Sequence, residues 1–196
     1  MIREKTVYYN EDFEFTFEPI EETIDIKETP AGYEVKYLTH DEYPDKPDSW
    51  GDDDLFLVNY HRDFWIESKI ISEDETRDFY LGEKIPQEKD YFIFKLACLV
   101  HSGVWLSLET NFQCDPGGWD TSHIGIVLAS KKEFKTKNKA MSAAQSLIKV
   151  WNECLIGDVY CLVGEKYDKE KTPIDYDIVG GYYGFEYAKE SLSTDI

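Results

Sequence analysis

Short bursts of alternation dominate the first forty residues. Phe13, Phe15 and Phe17 are separated by Glu14 and Thr16, the two-residue period of a strand with one wet face. Pro30-Ala-Gly32 is a turn signal, and the runs on either side of it, 23–28 and 33–39, read as a β-hairpin. Leu55 to Tyr60 predicts another strand. Ser72 followed three residues later by Glu75 is a capping box, so a short helix is expected to run to Tyr80 and stop at Gly82. Tyr91 to Val100 is almost continuously apolar, the pattern of a strand covered on both faces.

The turn His101-Ser-Gly103 hands that strand to Val104–Thr110 as its hairpin partner, and Ile124 to Ala129 predicts a further strand. Ala140, Ala144, Leu147, Ile148, Trp151 and Leu155 recur at helical spacing, which predicts one main amphipathic helix over about 138–155, stopped by Gly157. Two last strands, 158–163 and 177–183, flank a charged loop at 165–172, and 185–192 reads as a short helix before a frayed end. The sum is an α+β fold: a mostly antiparallel sheet with one main helix packed on it. At 196 residues a single domain is expected, interrupted by an acidic loop at about 41–54.

Hydrophobic residues make up 42% and aromatic ones 15%, which excludes disorder despite the charge. Forty acidic residues against 21 basic ones give a net charge of -19, a field that repels nucleic acid and argues against direct DNA or RNA binding. Only Lys131, Lys132, Lys135, Lys137 and Lys139 form a basic cluster. Four cysteines show neither a C-x-x-C pair nor zinc-ligand spacing. The start lacks the apolar core of a signal peptide, and no apolar run approaches the roughly 20 residues of a membrane helix. A soluble cytoplasmic protein with no membrane partner is the expectation.

The densest chemistry lies between Phe112 and Gly125. Paired glycines at 117 and 118 permit a tight turn, with Asp120 placed to accept the amides that follow it. A catalytic reading of the same region uses His101 and His123 as acid/base groups, Asp120 to orient one of them, and Cys114 or Ser122 as nucleophile, although no G-x-S-x-G elbow is present. His61, His101 and His123, with Asp115, Asp120 and Asp158, lack any local metal-binding spacing, so no metal is expected. Gly180-Gly-Tyr-Tyr-Gly184 lacks the Lys-Ser/Thr of a phosphate loop, and no cofactor is expected; its glycines read as a bend or bulge in a strand. The loop carrying Asp41, Glu42, Tyr43, Asp45, Asp48, Trp50, Asp52, Asp53 and Asp54 frames aromatics with carboxylates and is the candidate surface for a basic protein partner.

Three stretches carry a family resemblance. Trp50-Gly-Asp-Asp-Asp-Leu-Phe-Leu-Val-Asn-Tyr-His-Arg-Asp-Phe64 is the first. The second is His101-Ser-Gly103 followed by Cys114 to Gly125, with Trp119-Asp120 at its centre. The third pairs Leu155-Ile-Gly-Asp-Val-Tyr160 with Asp177-Ile-Val-Gly-Gly-Tyr-Tyr-Gly184. In this order they resemble an uncharacterised family encoded by bacteriophages, prophages and bacterial mobile elements. His123 stands where that family has Gln, which makes it a poor catalytic candidate. The resemblance implies an origin, and hence a host bacterial cytoplasm, but no mechanism. The first expectation is an accessory phage protein that acts by binding, an acidic nucleic-acid mimic that inhibits a host defence nuclease of the anti-CRISPR or anti-restriction type. The alternative is a small hydrolase or transferase centred on His101, Cys114, Asp120 and Ser122. A virion-associated role ranks third, since no heptads support it.

Overall fold

A computed structural model describes residues 12–47, 54–62, 64–108 and 112–194. Along the chain run β1 (Asp25–Thr29), β2 (Gly32–His40), β3 (Leu55–His61), β4 (Phe64–Ile66), α1 (Glu73–Leu81), β5 (Tyr91–Val100) and β6 (Val104–Ser107). They are followed by β7 (Thr121–Ser130), α2 (Lys137–Ile156), β8 (Val159–Tyr167), β9 (Pro173–Tyr183) and α3 (Phe185–Thr194). The fold is α+β with two antiparallel sheets. The chain divides into two compact units, Met1–Pro44 with Gly157–Ile196, and Asp45–Ile156 between them in sequence.

In the first unit the sheet order is β1-β2-β8-β9. The β1–β2 hairpin turns at Pro30 and Ala31 as the sequence predicts, pairing Thr29 with Gly32. Phe13, Phe15 and Phe17 belong to no strand, which corrects the strand expectation. Their two-residue period is nevertheless real, because all three face one side of the sheet and pack with Val35, Tyr37 and Val163. The buried acid Glu165, only 2% exposed, pins this segment. Its carboxylate accepts the Thr16 N–H (2.9 Å), the Tyr37 hydroxyl (2.9 Å) and the Tyr167 hydroxyl. Burial and this carboxylate both push the two phenols well above the ordinary tyrosine range. On the opposite face Ala188 and Phe185 of α3 pack with Leu38, Tyr160 and Leu162. The strands β8 and β9 run longer than the sequence suggests, so the charged connection shrinks to residues 168–172.

In the second unit the order is β4-β3-β7-β5-β6. Alternate residues of the central strands feed two cores. Leu57, Phe94, Leu96 and Val127 face Ala140, Ala144, Ile148 and Trp151 of α2. Val58, Ile126 and Leu128 face the other way, towards Ile71, Ile85 and the α1 residues Phe79 and Tyr80. Both covers follow from local signals. Ser72 and Glu75 form the capping box of α1, Gly82 ends it in the left-handed conformation, and the apolar stripe of α2 repeats every three to four residues. Thus α2 is the longest of three helices among the described residues, not a sole cover, and it packs on one sheet. The runs flanking the 112–120 turn do not form a hairpin with each other. Instead β5 pairs with both β6 and β7 and lies between them.

Glu165→Ala leaves two phenols and one amide without their acceptor, each worth about 1–3 kcal/mol when buried and unpaired. Urea denaturation is expected to show a loss of about 3 kcal/mol for Glu165→Ala. Glu165→Gln, which keeps an acceptor oxygen, is expected to lose clearly less. Equal losses for both variants would contradict the acceptor role.

Candidate functional site

The turn after β6 is built around Asp115. Its carboxylate accepts the N–H groups of Trp119 and Asp120 (both 3.0 Å) and the Thr121 hydroxyl (2.7 Å). That is the arrangement expected of an Asx-type turn, but the acceptor is Asp115 and not Asp120. The Asp-Pro-Gly signal at 115–117 carried this information. The Thr121 hydroxyl, followed by the three turn amides, holds the Asp115 carboxyl below the ordinary aspartate range. Gly118 takes a positive φ of 66°, which glycine adopts without strain, and a Cβ at Gly117 would meet the exposed Trp119 indole at 2.6 Å and push it aside.

Asp120 points elsewhere. Its Oδ2 lies 3.0 Å from His101 Nδ1, and its carbonyl accepts the Val100 N–H, which ties the two tips together. The pair is open to water, with side-chain exposures of 72% and 45%. Of the sequence-predicted catalytic set, then, His101 and Asp120 meet. Cys114 lies exposed in the turn and Ser122 sits in β7 across from Cys98; no hydrogen bond joins either to the pair. Trp119, 90% exposed, is the most prominent apolar group at this tip. His123 stacks edge-on towards Tyr80. No group of three His, Cys, Asp or Glu side chains among the described residues is placed to hold a metal ion.

The acidic loop is described at Asp41, Glu42, Tyr43, Asp45 and Asp54; Asp48, Trp50, Asp52 and Asp53 lie outside the described residues. Asp41 is turned inward. Its carboxylate accepts the N–H groups of Tyr43 (3.2 Å) and Gly181 (3.3 Å) and neighbours the Cys161 thiol. The glycines at 180 and 181 make room for it. Register slips here, two glycines opposing Cys161, and a Cβ on Gly180 would come within 2.9 Å of the Asp41 carboxylate. The bulge expected of the Gly-Gly motif is therefore a seat for Asp41. Burial, and then the Asp41 charge, push the Cys161 thiol up to about 11, so it is no nucleophile at neutral pH. Beside it opens a cleft of about 520 Å³, lined by Phe17, Glu18, Ile20, Thr39, Glu42 and Ile178 among others. Tyr43 stands at its rim, 89% exposed.

Sequence reading began the outer strand of the same unit at Asp177 and missed its first four residues, 173–176. β9 ends the sheet, and Ile174 (64%), Tyr176 (52%) and Ile178 are exposed along it. Between them Asp175 and Asp177 alternate, a period of two that was visible at 174–178. Their carboxylates accept the N–H groups of Tyr176 and Ile178, both at 3.0 Å. Charge is unequal between the units. The first holds 21 acidic residues against 8 basic ones, the second 19 against 13.

Comparison with protein-family models, curated proteins and solved structures finds no match. No helix among the described residues is long and apolar enough to cross a membrane.

Limited alkylation at pH 8, read by mass spectrometry, is expected to modify Cys114 well before Cys161. Asp41→Asn, which removes the neighbouring negative charge, should speed the reaction of Cys161 several-fold. A thiol at 161 that reacts as fast as the one at 114 would contradict its burial beside Asp41. A second expectation concerns acid. Because the folded-state pKa of Asp115 is depressed below 3.8, the turn's hydrogen bonds persist as pH falls through the ordinary aspartate range and fail only below it. Amide shifts of Trp119 and Asp120 that change already near pH 5 would contradict this.

Proposed function

We propose that the chain is a binding protein whose acidic first unit docks on a basic surface of a host nucleic-acid-handling enzyme. The excess of carboxylates over cations in that unit, 21 against 8, carries the reading. Exposed aromatic and aliphatic groups at Tyr43, Ile174 and Tyr176 accompany the charge and supply the apolar anchors that a purely electrostatic decoy would lack. The likeness of three sequence stretches to phage and mobile-element proteins favours an anti-defence setting. There, carboxylates stand where substrate phosphates would lie on a restriction or CRISPR nuclease. Such a complex forms quickly and weakens with salt, since long-range attraction between exposed charges is screened beyond about 8 Å at physiological ionic strength.

The second reading, a small hydrolase or transferase, rests on the 3.0 Å contact between His101 and Asp120. It is the weaker one, because neither Cys114 nor Ser122 is hydrogen-bonded to that pair. Asp120→Asn separates the two: loss of biological activity with an unchanged melting temperature favours catalysis.

Immobilised chain is expected to capture a basic nuclease from host lysate, with duplex DNA competing for the complex. The Kd should rise at least tenfold as salt is raised from low to physiological strength. Recovery of no nucleic-acid enzyme, or a salt-independent complex, would overturn the proposal.

A further inference from the structure

Among the described residues β9 ends its sheet, and its outer edge is guarded by its own side chains. Residues two apart in a strand direct their N–H groups to the same edge, and those of Tyr176 and Ile178 are each met by the carboxylate just before them, Asp175 and Asp177. This marks their side as the outer edge. Aspartates on an edge strand are a known defence against unwanted pairing. They also define what is admitted. On one face of the strand Ile174, Tyr176 and Ile178 form an exposed apolar stripe, continued by Phe17, which packs edge-to-face on Tyr176 (5.6 Å), into the 520 Å³ cleft. The opposite face carries the two carboxylates.

We propose that β9 accepts an extended segment of a partner protein in which basic and apolar residues alternate, adding it as a fifth strand to the first unit's sheet. The inference rests on the acidic-surface reading above and names where and how the partner binds. The incoming strand's carbonyls take the Tyr176 and Ile178 N–H groups, and the displaced carboxylates pair with its Lys or Arg side chains. Its apolar side chains lie beside Ile174, Tyr176 and Ile178. A neutral strand displaces the same carboxylates and gives them no cation. A second copy is disfavoured by the same charges. Two-fold antiparallel registers centred on residue 175, 176 or 177 set aspartate against aspartate, as Asp175 on Asp177.

The test titrates the full chain with a capped peptide, as long as β9, in which Lys and Arg alternate with Val and Tyr. A scrambled peptide with contiguous basic residues is the control, and amide hydrogen exchange is followed by residue. Slowed exchange at Tyr176 and Ile178 is expected. The alternating peptide should bind at least tenfold more tightly than the scrambled one, and the combined Asp175→Asn and Asp177→Asn variant should bind it at least fivefold more weakly. Equal affinity for both peptides, or protection that spares those two amides, overturns edge docking while leaving the acidic-surface reading intact. Failure of that reading shows separately, as loss of the salt-dependent nuclease complex with the peptide results unchanged. A dimer that the peptide dissociates assigns the edge to a second copy. Faster exchange at the two amides after deletion of residues 1–11 assigns it to the chain's own first segment. Either result overturns the proposal.

Discussion

The Glu165 carboxylate is held in the covered face of the first sheet by donors drawn from three places in the chain: the Thr16 amide and the hydroxyls of Tyr37 and Tyr167. A buried carboxylate is tolerated only when its lone pairs are met, because its desolvation otherwise outweighs any packing gain. Meeting them fixes the path of residues 13–17 across β2 and β8 and sets three phenylalanines against the sheet. That cover ends where Phe17 reaches Tyr176. What the first unit shows to water, the outer strand and the cleft beside it, is therefore decided by how far this pinned segment extends.

The second unit solves its burial differently. Its central strands β7 and β5 are apolar on both faces, so each face needs a helix, and α1 and α2 supply them. No sheet face remains for a ligand among the described residues. Its conspicuous groups instead cluster at one tip, where Asp115 organises the turn, Asp120 meets His101, and Trp119 is left almost wholly exposed. These hydrogen bonds fix the backbone that presents Trp119, and neither Cys114 nor Ser122 is hydrogen-bonded to the imidazole of His101.

Much of this was legible in the residues. The capping box at Ser72, the stop at Gly82, the stripe of α2 and the two-faced run of β5 are local signals, and each produced its element. The alternation of Phe13, Phe15 and Phe17 was read correctly as a facing pattern and incorrectly as a strand. Period two reports which way side chains point, and an extended segment lying on a sheet shares it with one hydrogen-bonded into it. The pairing of β5 with both β6 and β7 was out of reach, since strand order is a property of distant contacts. Asp41 was missed as a seated group for the same reason: its partners, Cys161 and the Gly180–Gly181 bulge, stand over a hundred residues away, as the 140-residue separation from Gly181 shows. Charge segregation became visible only when the chain's division into two units was known.

An acidic surface by itself selects weakly, because exposed charges attract any cation and salt screens them all. Specificity needs geometry, and β9 provides it by coupling each carboxylate to a backbone amide. While the edge is empty, Asp175 and Asp177 occupy the very N–H groups that a new strand would use. Entry therefore demands two things from the same segment at once: carbonyls in strand register and cations on alternate residues. A flexible polycation meets the second demand only, a neutral strand the first only. The same pair of aspartates thus keeps an exposed apolar edge from pairing with its own kind and narrows the partners that can take its place.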